Sequence, residues 1–389
     1  MSAHITKALT SEANNPPAFY RRHPWVVRMT LVVGALALME IGCRLLVRAG
    51  VLPFERHPVT TDPVFWDDLS PSFGVWHHPN ATFDHHMPCF DVTYRTNSFG
   101  MRDPERAEES SADRRVVVLG DSYAEGYGVA RGERFTDLLE AESGVEHLNF
   151  GASGHFGHVQ EWLLYRDLAQ RFDHTEVMVF TLPFNDAEDN RPELFPASRY
   201  RPYLRTAEAG GFELYYPIDF EQRARDQRKT AEIVRNTLSN NLHLYNILRR
   251  ATRSLGDDRR PAHGHDSARP SYDSFTKFDT EVLLHTYLRI AELSGDRSVH
   301  VFLIPVESDF EAALAGDVDF DLVREIEACA SSLEGFHVTD LLPHFVAYAR
   351  EHGLAYEDFV LRCDGHWNAL GHRIAALGVQ QAVASRRGD

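Results

Sequence analysis

The chain has 389 residues, 43% of them hydrophobic, which is enough for one large domain or two ordinary ones with appendages. A net charge of −17 and an isoelectric point near 5.6 exclude a nucleic-acid binder that works through phosphate contacts, because that mode needs a basic face to displace counterions. Four cysteines (Cys43, Cys89, Cys329 and Cys363) form no CxxC pair for zinc or redox chemistry and are too few for a disulfide framework. Cys89 with Cys363 is the pair we consider for a bridge.

Residues 1–24 are polar and contain prolines, with Lys7, Arg21 and Arg22 and no hydrophobic period, and we read them as a disordered cytoplasmic tail. From Trp25 to about Arg48 runs an apolar segment that reaches the ~20 residues of a membrane span by tolerating Arg28, Glu40 and Arg44. A signal-peptide core or a buried helix would give a similar pattern. No A-x-A cleavage site comes after it, so an uncleaved transmembrane anchor is the favoured reading. Lysine and arginine are denser before the segment than just after it. That bias predicts a single-pass protein with the bulk of the chain on the extracytoplasmic side.

Residues 49–113 are rich in Pro, His and aromatics, with short alternating pieces such as FDVTYRTNS, and read as a lead-in of loops and short strands packing on the main domain. From 114 onward, short apolar runs alternate with helical patterns. The strands are expected at 114–120, 145–150, 176–182, 298–306 and 336–341. This alternation predicts an α/β fold, a three-layer α/β/α sandwich around a parallel, flavodoxin-like sheet. One long insertion, about 187–296, interrupts it and reads as a lid or substrate wall, with a flexible stretch near its centre.

Four places carry chemistry. The strand VVVLG ends in Asp121 and Ser122, where a parallel sheet gathers reactive groups, although Asp121 or Ser122 could simply cap a helix. Gly151, after the second strand, lets a backbone N–H approach a ligand closely, or makes an ordinary turn. Asn185, after the third, can donate an amide hydrogen bond to a developing oxyanion without adding charge, or form an Asx turn. Near the end, Asp364 and His366 stand two apart, spaced to line one cleft or to form a plain salt bridge.

In this order the blocks GDSY, NFGASG, PFND and DGHWNALGH resemble those of the SGNH (GDSL-like) hydrolase family, from about Thr96 to the C-terminus. The lead-in NSFGMR is similar to a segment of membrane-anchored members. The resemblance implies a serine esterase with Ser122 as nucleophile, His366 as base and Asp364 as its orienting acid. The oxyanion hole would be built from Ser122, Gly151 and Asn185. Two positions depart from the family pattern: Pro183 stands where a glycine is usual, and Asp364 precedes His366 by two residues where three is usual. His372 is a rival base.

The expected substrate is an acyl ester, with a glycan or a lipid as the alcohol half. The same site could serve an O-acyltransferase acting on a cell-envelope polysaccharide, with a membrane acyltransferase as partner, or survive in an inactive binding protein. No cofactor is implied. No metal is expected either, because His77-His78 and Asp84-His85-His86 lack the i, i+4 spacing of a helical zinc pair.

Overall fold

The computed structural model describes residues 23–52, 65–87, 89–154, 156–193, 200–227, 230–256, 270–273, 275–316 and 320–387. The N-terminal tail up to residue 22, and residues 257–269 of the expected flexible stretch, lie outside them. By internal contacts the chain divides into two units, one of Met1–Phe54 with Asn241–Leu255, the other of Glu55–Asn240 with Gly256–Asp389.

In the first unit, Pro24–Arg48 is a continuous helix, begun by a proline whose missing N–H costs nothing at the first position. It is long and apolar enough to cross a membrane. None of its residues is buried, and Leu31, Val32, Val33, Leu36 and Leu38 stand exposed. A second helix, His243–Gly256, belongs to the same unit as far as Leu255.

In the second unit, the lead-in folds as two antiparallel hairpins. β1 (Trp66–Ser70) pairs with β2 (Gly74–His77), and β3 (Thr82–Met87) with β4 (Phe90–Arg95). Their alternation turns Phe83, His85 and Tyr94 inward beside Phe65 and Trp66. The main sheet comes next: β5 (Arg115–Gly120), β6 (Glu146–Asn149), β7 (Glu176–Thr181), then a hairpin of β8 (Tyr203–Thr206) and β9 (Phe212–Tyr215) outside it, then β10 (Ser298–Leu303) and β11 (Phe336–Asp340).

The five sheet strands are all parallel, in the order β11-β10-β7-β5-β6, which is the flavodoxin-like order expected. Strands covered on both faces need continuous apolar runs, and Val116 to Leu119 are fully buried. Each such side chain contributes about 1.5–3 kcal/mol relative to exposure.

Helices 158–167 and 277–294 pack together, as do 135–143 and 369–387, the latter pair joined by 342–352. The 277–294 helix was expected inside the insertion, but it supplies the crossover between parallel strands β7 and β10, a connection that a parallel pair requires. The Thr276 hydroxyl accepts the Asp279 N–H while the Asp279 carboxylate accepts from Thr276, so the helix starts in a closed capping box.

Candidate active site

Parallel strands put all their carboxyl ends on one edge, so the segments leaving β5, β6 and β7 emerge side by side. Ser122 opens a single helical turn, Ser122–Glu125, directly after β5. Asp121 caps that turn by accepting the Tyr123 N–H at 2.9 Å. The Ser122 Oγ lies 2.7 Å from His366 Nε2, and the other ring nitrogen, Nδ1, meets Asp364 Oδ1. The three side chains thus form one line of hydrogen bonds from hydroxyl through imidazole to carboxylate.

Tyr123 and Tyr127 hold the His366 ring, with centroids at 4.8 and 4.4 Å and Tyr127 stacked. The Tyr123 hydroxyl donates to the Gly365 carbonyl, and Trp367 is fully buried against the Tyr123 edge. A disulfide, Cys89–Cys363, fixes the same loop to the turn between β3 and β4. Neither tyrosine stood out in the sequence, although both fall within five residues of the serine.

His372 sits elsewhere. It is buried, stacked on Phe135, and its Nδ1 accepts the Phe135 N–H at 3.4 Å. Burial, together with the Arg134 and Arg102 charges, lowers it to about 3, so it stays neutral and structural.

Gly151 packs against the serine turn so closely that a Cβ would come within 2.2 Å of the Glu125 nitrogen, which no side chain tolerates. Its N–H, however, already donates to Asn149 Oδ1 at 2.9 Å, and Asn149 Nδ2 donates to the Ala124 carbonyl and to Thr136. The asparagine at the head of the NFGASG block is therefore what ties the β6 turn to the serine turn. Asn185, in the Pro183–Asp189 helix after β7, makes no side-chain hydrogen bond among the described residues. No hydrogen bond joins either Gly151 or Asn185 to Ser122 among them. Pro183, the departure from the family pattern, occupies the first position of this helix, where a proline fits.

The lead-in supports the turn from behind. Arg102 Nη1 donates to the Glu125 carbonyl at 3.0 Å and also reaches Gly126, Nη2 reaches Val129, and the guanidinium lies 3.5 Å from the Tyr94 ring centre. Tyr94 Oη accepts the Gly128 N–H, and Glu125 is held by the Ser153 N–H and by His77 at 3.5 Å.

Beneath the site lies a buried acidic cluster that joins the three segments. His158 bridges Glu161 (Nδ1, 3.4 Å) and Asp186 (Nε2, 3.1 Å). Burial opposes its charge, but the two carboxylates outweigh that and raise it to about 10. Burial raises Asp121 well above the carboxylate range, with the Asp186 charge adding to it, and burial raises Glu161 to about 7. His158, Glu161 and Asp186 offer donor atoms within 4.8 Å of one another, the spacing a metal site could use. Both imidazole nitrogens face carboxylates at ion-pair distance, the geometry of a charged ring bridging two acids.

No protein-family model matches the chain, and no curated relative does. Among solved structures, similar ones include a lipolytic protein of the G-D-S-L family from Veillonella parvula, at 16% identity and TM-score 0.35, covering 69% of this chain and 97% of that one. Another is a carbohydrate esterase family 2 enzyme with a carbohydrate-binding domain from Corynascus thermopiles (Myceliophthora fergusii), at 12% identity and TM-score 0.36, covering 73% and 69%. A third is an α/β-hydrolase enzyme from the metagenome of Lake Arreo, Spain, at 13% identity and TM-score 0.37, covering 72% and 98%. Likeness at this level carries no weight for activity, and the functional reading rests on the residues.

Proposed function

We propose that the chain is a serine ester hydrolase of the SGNH (GDSL-like) type, tethered to a membrane by its 24–48 helix, with the catalytic unit outside the cytoplasm. The observation that carries this reading is the Ser122 Oγ to His366 Nε2 contact of 2.7 Å, continued by Asp364 on the far nitrogen. It occurs at the carboxyl end of β5, among blocks that resemble the family in type and order.

In the first half-reaction His366 Nε2 takes the Ser122 proton as Oγ bonds to the ester carbonyl carbon. The tetrahedral oxyanion then collapses, and the alcohol departs with the proton from Nε2, leaving an acyl-serine. Water repeats the sequence, His366 taking its proton, and the acid leaves as Ser122 recovers its hydrogen. Asp364 orients the ring and offsets the charge it gains.

The Ser122 N–H, first in its helical turn, has no intrahelical acceptor, and the Asn185 side chain makes no hydrogen bond among the described residues, so both serve the oxyanion. The Gly151 N–H is the third donor, shared with Asn149 Oδ1. A cleft of about 720 Å³ beside the Asp364–Gly365 turn, bordered by Glu307, Glu357, Asp358 and Arg362, suits a polyhydroxylated alcohol such as a glycan. The disulfide fits an oxidising compartment and so the topology expected from the charge bias.

The full-length protein in detergent should hydrolyse short acyl esters or acetylated glycans, and Ser122→Ala should lower kcat by at least about 10³-fold. Adding an acceptor glycan separates hydrolysis from acyl transfer. Undiminished hydrolysis by the Ser122→Ala variant would remove the proposal.

A further inference from the structure

The stretch 191–217 is rich in Tyr, Arg and Pro, and the chemistry at Ser122 uses none of it. Its β8–β9 hairpin, the segment leaving the Pro183–Asp189 helix and the start of the 277–294 helix together border a cavity of about 490 Å³. That size falls within the range of roughly 300–1,000 Å³ usual for small-ligand sites.

Tyr215 and Phe278 give the cavity two aromatic walls, Tyr215 half-buried and Phe278 36% exposed. The Arg205 guanidinium lies 4.9 Å from the Tyr215 ring centre, and its Nε donates to Glu213 Oε1 at 2.5 Å. Arg191 donates through Nε to Asp279 Oδ1 at 3.1 Å and through Nη2 to Oδ2, and the same carboxylate accepts the Thr276 N–H at 2.8 Å. Both cations that line the cavity are therefore matched by carboxylates, and the exposed Glu193 adds a negative charge. Such walls offer hydrogen-bond donors and acceptors without a surplus of positive charge. A sugar ring answers both features. Its polarised C–H face is drawn to the negative face of an aromatic ring, and its hydroxyls both donate and accept. A phosphate or a uronate would meet Glu193 with each lining cation already engaged.

The place of the cavity in the fold ties it to the reaction. Asn190, on its wall, caps the carboxyl end of the Pro183–Asp189 helix, and its Nδ2 donates to the Asp186 carbonyl at 2.9 Å. The oxyanion donor Asn185 stands on that same helix, about 7.5 Å back along the axis. We propose that the cavity is a saccharide subsite, holding one residue of a neutral glycan chain while another residue of that chain presents its ester to Ser122. The inference rests on the ester hydrolase reading for the position of the acyl group. It deepens that reading by making the alcohol half a neutral oligosaccharide, selected by contacts away from the scissile bond.

The test reads binding without turnover. Full-length Ser122→Ala protein in detergent is applied to an array of immobilised hexasaccharides: neutral ones of β-1,4-linked glucose, xylose, mannose and N-acetylglucosamine, and acidic ones of linked uronates. At least one neutral hexasaccharide should be retained and the uronates should not. Adding Tyr215→Ala should weaken that binding by about tenfold or more, and Phe278→Ala, at an exposed position, should weaken it likewise, whereas Tyr215→Phe, which keeps the ring, should retain it. Retention of no neutral hexasaccharide, a preference for uronates, or undiminished binding by the Tyr215→Ala protein overturns the subsite. Fluorophosphonate labelling of the parent protein reads the hydrolase separately. A bound hexasaccharide lost in Tyr215→Ala, with no adduct on Ser122, keeps the sugar site and removes the hydrolase, while an adduct with no hexasaccharide bound removes the subsite alone.

Discussion

Around His366 the chain places two tyrosines on one imidazole. Tyr127 stacks on its face, Tyr123 lies at 4.8 Å, and both can stabilise the cation that forms when the ring takes a proton. The oxyanion side is more sparing. In the proposed mechanism the Gly151 N–H is shared with Asn149, so more of the load would fall on the Asn185 amide. Asn185→Ala should therefore reduce kcat by about 10²-fold or more with little change in KM, since the lost bond forms only as charge develops on the oxygen. Initial rates on a short acyl ester measure this, and an unchanged kcat would mean that the oxyanion is held elsewhere.

At the scale of elements, the His158 bridge links the 158–167 helix to the Pro183–Asp189 helix and lies close enough to Asp121 for their charges to interact. Its folded pKa of about 10 lies above the ordinary 6.5. Folding thus draws a proton onto this ring wherever the unfolded chain has lost it. The stabilisation is complete below pH 6.5 and is lost as pH rises toward 10, at no more than about 1.4 kcal/mol per pH unit. The raised carboxylates of the cluster act in the same direction.

His158→Gln should cost about 3–5 kcal/mol near pH 6 and much less near pH 10, so the stability curves of variant and parent converge. Chemical denaturation across that range reads it, and parallel curves would contradict the bridge. None of this was legible in the sequence. His158, Glu161 and Asp186 share no periodic pattern, and only the fold brings the last of them to the first two. The β5 run was legible for the opposite reason: four consecutive apolar residues covered on both faces leave a local signal. Arg102 and Asn149 stood within quoted blocks, but their roles depend on backbone carbonyls that a pattern of residue types does not reveal.

At the scale of the molecule, strand order decides where chemistry can gather. The order β11-β10-β7-β5-β6 sets β7, β5 and β6 next to one another, so three consecutive connections open on one edge, and the 361–368 segment brings His366 to it. The alternation of runs and helices foretold this arrangement. It did not foretell that the 277–294 stretch completes the core, since a crossover helix and an insertion helix carry the same amphipathic pattern. The Cys89–Cys363 bridge then binds the lead-in to the His366 loop across 274 residues, making the N-terminal hairpins part of what holds that loop in place.

The most direct measurement is covalent labelling of the full-length protein with a fluorophosphonate, and then mass spectrometry of its peptides. One adduct is expected, on Ser122, which disappears in Ser122→Ala and forms far more slowly in His366→Ala. An unlabelled protein, or an adduct on another residue that survives the Ser122→Ala change, would contradict the assignment of Ser122 as nucleophile.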